Sequence, residues 1–126
     1  MKVGAFMNIH ESGEMYLETI LLLSRKMQFV RSLDIATDLG FSKPSVSRAV
    51  GKLQKAELIT VDSKGYITLT DEGKKIAERM YERHTVLSHF LEKIGVSKDI
   101  ASHDACKIEH HISDTSFNAI KKYVEK

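Results

Sequence analysis

Cys106, Glu109 and His110 stand close together near the end of the chain, in the run Asp104-Ala-Cys-Lys-Ile-Glu-His-His111. Offsets of three and four residues place them on neighbouring positions of one helical face. A thiolate, a carboxylate and an imidazole gathered there supply the donor set of a divalent transition-metal site. A second constellation lies upstream: residues 41–55 carry Lys43, Arg48, Lys52 and Lys55 with no acid among them. The chain as a whole has a net charge of only +2, so this is a local basic stripe, a footprint for phosphate and not for a membrane surface. Residues 97–126, by contrast, balance their acids and bases. Metal ligands joined to a nucleic-acid face imply DNA binding that depends on a metal.

The elements that must position these residues follow from periodicity. Residues 11–26 read as a first helix rich in Leu and Met, and residues 1–9 lack periodicity and read as a loose arm. Ser32 is expected to cap a short second helix with Leu33, Ile35, Ala36 and Leu39 as apolar positions, ended by Gly40 in the left-handed conformation. Ser42 caps a third helix that tolerates Pro44 in its first turn and buries Val46, Ala49, Val50 and Leu53. Residues 58–61 and 66–69 alternate apolar and polar around Asp62-Ser-Lys-Gly65, which predicts a β-hairpin. Thr70 caps a long helix over 71–94, with Ile76, Met80, Leu87, Leu91 and Ile94 on one side and Gly95 at its end. Ser97 opens the helix carrying Cys106, and Ser113 opens a last one with Phe117, Ile120 and Val124.

Ala36, Gly40 and Val46 have the spacing of the small residue, turn glycine and buried aliphatic of a helix-turn-helix, and the hairpin that follows makes it a winged one. The third helix then lies in a major groove with Ser42, Lys43, Pro44, Ser45, Ser47, Arg48 and Lys52 toward the duplex. Ser42, Lys43, Lys52 and the wing residue Lys64 are candidates for phosphate contacts, and Arg48 or Ser45 for base edges.

Over nearly its whole length from about residue 11, the chain resembles the metal-dependent repressors typified by the diphtheria toxin repressor and the manganese transport regulator. The resemblance rests on Glu14-Met-Tyr-Leu-Glu-Thr-Ile20, Ser-Val-Ser-Arg-Ala-Val50, Leu-Thr-Asp-Glu-Gly-Lys74, Arg83-His84 and the Cys106–His111 run. It implies a mainly α protein with a small β-hairpin: an N-terminal winged helix-turn-helix (1–72) and a C-terminal helical metal-binding and dimerisation domain (73–126). The long helix is shared, and no SH3-like third domain is expected. The resemblance also implies the ligands Met15, Glu18, His84, Cys106, Glu109 and His110, with the cation between the first helix and the dimerisation helices. His103 can share the face of Cys106 but matches no family position, and His89 and His111 read as structural or exposed.

Met15 and Cys106 match the family's iron branch, whereas the manganese branch has an aspartate and a glutamate there. Sulfur donors suit hard Mn²⁺ poorly, so Fe²⁺ is the favoured cofactor, Mn²⁺ the next, with Zn²⁺, Co²⁺ and Ni²⁺ as substitutes in vitro. Ser88 and Ser102 replace a glutamate and a histidine of the iron branch, so the resemblance leaves Glu18 and His84 to build any second site, as in the manganese branch.

The expected function is therefore a metal-activated repressor of iron or manganese uptake genes, binding palindromic operator DNA as a homodimer. The alternative is a winged-helix regulator sensing redox state or a small molecule, with a structural Cys/His cluster. An enzyme is not expected, because the chain has no HExxH, nucleophile elbow or Gly-rich phosphate loop, and neither is a small organic substrate. Its single Cys excludes an internal disulfide, and no secretory or membrane-spanning segment is evident, so the cytoplasm is the expected location and no membrane partner is expected.

Overall fold

The computed structural model describes the backbone of residues 3–126 and side chains from Ser12 onward. These residues form α1 (Val3–Lys26), α2 (Ser32–Leu39), α3 (Lys43–Lys55), β1 (Ile59–Val61), β2 (Ile67–Leu69), α4 (Asp71–Lys93), α5 (Lys98–Ile108) and α6 (Asp114–Glu125). The architecture is mainly α with a small β-hairpin. It divides into two compact units, residues 1–78 and 79–126.

In the first unit, Tyr16, Leu17, Ile20, Leu21 and Leu23 of α1 close over Ile35, Ala36, Val46, Val50, Leu53, Ile59, Ile67 and Ala77. α1 begins at Val3, so residues 3–9 continue the helix and are not the loose arm expected; residues 1 and 2 of that arm lie outside the described residues. The cap of α2 is Arg31 and not Ser32. The Arg31 amide donates to the Asp34 carboxylate at 2.8 Å, a charge well placed at a helix N-terminus. Leu33, expected on the apolar face of α2, is 56% exposed: two residues before Ile35, it points to the opposite side of the helix. Gly40 ends α2 with φ 70°, and the Ser42 hydroxyl accepts from the Ser45 amide to open α3.

β1 and β2 pair antiparallel with Ile59 opposite Leu69 and Val61 opposite Ile67. Asp62 shapes the wing turn, its carboxylate accepting from the Lys64 and Tyr66 amides, each at 2.9 Å. The Thr70 hydroxyl accepts from the Gly73 amide at 3.2 Å and starts α4. Gly73 belongs to the motif after the wing for a steric reason: a Cβ there would stand 2.0 Å from the Leu58 carbonyl oxygen, which is backbone and cannot turn aside. Gly73→Ala is expected to destabilise this unit by about 2–3 kcal/mol, read as a drop in the urea midpoint at unchanged slope.

In the second unit, Leu87, Ala105 and Phe117 form a small buried cluster flanked by Val86, Ile108, Ile112 and Ile120. The Ser113 hydroxyl accepts from the Ser116 amide and caps α6 as expected. Ile94, placed on the apolar side of α4 by its spacing, lies past the end of the helix and is 56% exposed.

Candidate metal centre and nucleic-acid face

α5 stops at Ile108, so Glu109 is its C-terminal cap and His110 lies in the turn beyond. The single helical face expected for Cys106, Glu109 and His110 is therefore broken by this turn. What the fold assembles instead centres on Glu109, whose side chain is fully buried. One carboxylate oxygen, Oε2, faces His84 Nδ1 at 3.3 Å, and the other, Oε1, faces His110 Nε2 at 3.4 Å. One donor atom each from His84, Cys106 and Glu109 lies within 4.8 Å of the others. Cys106, whose plain structural role would be a small buried hydrophobe, is exposed.

The electrostatics of this cluster favour positive charge. Both Glu109 oxygens and His84 Nδ1 are buried without an aligned hydrogen bond, a costly condition for a carboxylate. The Cys106 sulfur, and after it the Glu109 carboxylate, push the His84 pKa up to about 10, against the opposing effect of burial. A soft sulfur, an imidazole and an unsatisfied carboxylate in reach of one point fit a late divalent transition metal.

Two residues that the ligand reading did not include hold the cluster in place. Arg83, 3% exposed, donates to the Glu109 carbonyl (3.0 Å) and the Ile112 carbonyl (2.7 Å) and pairs with Asp114. It thereby fixes the turn that carries Glu109 and His110. Ser102 Oγ lies 3.3 Å from His84 Nε2, on the ring nitrogen opposite the one facing Glu109. The signal for Arg83 was its place beside His84 in the family motif; nothing in its type announced burial.

On α1, Met15 is half-buried and Glu18 buried, three residues apart on one face. His103, His89 and His111 are exposed.

On α3 the buried stripe of Val46, Val50 and Leu53 leaves Lys43, Pro44, Ser47, Arg48 and Lys52 exposed, with Ser42 exposed before the helix and Lys64 exposed at the wing turn. Ser45 is half-buried: its hydroxyl accepts from Ser42 Oγ (2.9 Å) and Arg48 Nη2 (3.4 Å). Arg48 is thus held at its guanidinium tip by the Ser45 hydroxyl. It also lines a cavity of about 300 Å³ with Tyr16, Gly13, Ala49 and Lys52. Burial raises the Tyr16 phenol pKa, and the Arg48 charge works against that rise. Among the described residues no helix is long and apolar enough to cross a membrane.

Two family models match in succession. Residues 8–67 match the N-terminal DNA-binding domain of iron-dependent repressors, and residues 70–126 match the metal-binding and dimerisation domain. The chain is 36% identical over 111 residues to the transcriptional regulator MntR of Escherichia coli O6:H1, covering 88% of this chain and 72% of that one. It is 37% identical over 114 residues to MntR of Geobacillus thermodenitrificans, covering 90% and 81%. A manganese-dependent transcriptional repressor solved in complex with manganese superposes with a TM-score of 0.83 at 28% identity, covering 90% of this chain and 52% of that one. The chain spans about half the length of that repressor, and likewise of the manganese regulator SloR, which it also matches.

Proposed function

The chain belongs to the family of metal-dependent transcriptional repressors that includes the diphtheria toxin repressor and the manganese transport regulators, and from that premise we propose that it is a metal-activated repressor of metal-uptake genes. Its relatives are transcriptional regulators and not enzymes. The observation that carries the reading is the buried Glu109 carboxylate, facing an imidazole on each side and lacking aligned hydrogen-bond donors. The oxidant- or small-molecule-sensing alternative is not favoured, since the matched C-terminal domain is a metal-binding one.

The proposed ligands are His84, Cys106, Glu109 and His110, with Met15 and Glu18 retained on the sequence resemblance. A divalent cation bound there supplies the positive charge that the carboxylate and thiolate call for. The sulfur donors argue for Fe²⁺, the relatives' names for Mn²⁺; Fe²⁺ is proposed as the activator with Mn²⁺ next. Residues 1–72 act as the DNA reader and 73–126 as the metal-binding and dimerisation part. Ser42, Lys43, Lys52 and Lys64 meet phosphates, while Arg48, Ser45, Pro44 and Ser47 approach base edges of a palindromic operator. Exposed Ile94, Ile100 and Tyr123 in the C-terminal unit support association of two copies, and two-fold symmetry suits a palindrome. A cytoplasmic location follows from this activity.

Metal and DNA affinities are linked reciprocally, so each raises the other. Duplexes selected from a randomised palindromic pool under anaerobic Fe²⁺ or Mn²⁺ test this by fluorescence anisotropy. Chelator is expected to weaken binding by about tenfold or more. Equal binding with chelator present would reject metal control.

A further inference from the structure

Arg31 lies outside the recognition helix and the wing, at the start of α2, yet the fold fastens its side chain to the wing residue Tyr66. Its guanidinium sits 4.7 Å from the centre of the Tyr66 ring, and its Nη2 donates to the Tyr66 hydroxyl at 3.1 Å. The Tyr66 ring is stacked with Phe29, centres 4.3 Å apart and planes 13° from parallel. The intervening residue is stitched to the wing as well: the Ile67 amide donates to the Val30 carbonyl at 2.8 Å. Residues 29–31 are thereby fastened to the wing at Tyr66 and Ile67 by one backbone bond, one side-chain hydrogen bond, one aromatic stack and one cation–π contact. On the other flank, Ser32 and Leu33 share a hollow of about 240 Å³ with Lys43 and Ser47 of α3.

Resting on the DNA-binding reading above, we infer that Arg31 is a further DNA-positioning residue that contacts a backbone phosphate, with Tyr66 and Phe29 as the brace that orders it beforehand. Three considerations support this. Arg31 is exposed and always charged, and a guanidinium matches phosphate geometry with two parallel hydrogen bonds. Lys43 and Ser47, which share a hollow with the adjoining Ser32 and Leu33, and Lys64, two residues before Tyr66 in the chain, are residues placed toward the duplex. The Tyr66 hydroxyl and ring restrict its rotamers before DNA arrives, which lowers the ordering cost of a contact. A phosphate contact positions without reading sequence, so its loss weakens all duplexes alike.

The test uses the full chain with saturating metal, the selected duplex and a scrambled one, titrated over a range of salt. Arg31→Gln keeps size and can still meet the Tyr66 hydroxyl, but removes the charge. It is expected to weaken binding roughly tenfold on both duplexes and to lower the slope of log K against log salt by about one. Arg31→Lys restores the slope, and Tyr66→Phe lowers affinity while leaving the slope intact. A weakened Arg31→Gln with an unchanged slope marks a role in wing structure only, and overturns the phosphate assignment. So does a loss confined to the selected duplex. Arg31→Gln indistinguishable from an active wild type overturns the inference alone; a wild type that binds no duplex with metal overturns the DNA-binding reading and this inference with it.

Discussion

Glu109→Gln is expected to lower metal affinity by about 100-fold or more and to abolish metal-dependent DNA binding, in a protein that remains folded. The magnitude exceeds that of an ordinary ligand because the carboxylate serves two directions: His84 at 3.3 Å through one oxygen and His110 at 3.4 Å through the other. Gln preserves the volume of a fully buried side chain but offers one acceptor and no charge. Titration with Co²⁺, followed by its thiolate charge-transfer absorption, reads Cys106 directly and so separates loss of Glu109 from loss of the site. With metal at about 100 times the wild-type Kd, wild type gains about 2.7 kcal/mol and the variant gains almost nothing. Wild-type affinity in Glu109→Gln would remove this carboxylate from the centre.

The same substitution should alter the acid–base behaviour of the metal-free protein. The folded pKa of His84 is raised above its ordinary value, up to about 10. Its contribution to stability is therefore fully present below about pH 6.5 and is lost as pH rises through 10. The Cys106 sulfur remains in the variant, so the effect shrinks without vanishing.

Arg83→Met is expected to destabilise the C-terminal unit by about 3–5 kcal/mol. Arg83 satisfies two backbone carbonyls, those of Glu109 and Ile112, from a position only 3% exposed. Its guanidinium also lies 5.4 Å from the centre of the buried Phe117 ring. Met replaces the aliphatic volume but leaves both carbonyls without their donor, a desolvation penalty of about 1–3 kcal/mol each. The pairing with Asp114 contributes less, because that carboxylate is 75% exposed. Arg83→Lys recovers only part of the loss, since a single ammonium lacks the planar fork. Metal affinity falls by about tenfold or more in either variant as the Glu109–His110 turn loosens. A change within 1 kcal/mol of wild type, measured by urea unfolding, would mean that the apolar cluster of Leu87, Ala105 and Phe117 holds the turn by itself.

Features that act over a few residues were legible before any long-range contact is considered. The caps at Ser42, Thr70 and Ser113, the left-handed Gly40, the wing turn and the apolar stripe of α3 are each settled by groups within one or two turns of one another, and they appear in the structure as expected. The chemistry of the candidate donors Cys106, Glu109 and His110 was equally legible, because thiol, carboxylate and imidazole announce it by type, whereas Met15, Glu18 and His84 were named through the family resemblance alone. The sequence misplaced features for which a nearby competitor won: Asp34 reached back to make Arg31 the cap of α2, and the face opposite Ile35 took Leu33 into solvent. How the candidate donors are brought together was set by long-range packing. It ended α5 at Ile108, turned the Glu109 carboxylate inward between two imidazoles, and bound the turn to Arg83 twenty-six residues earlier in the chain. Periodicity carries no record of such a bond: a buried guanidinium and a solvated one have the same spacing, and only long-range packing, which removes water from one and supplies it with carbonyls, tells them apart.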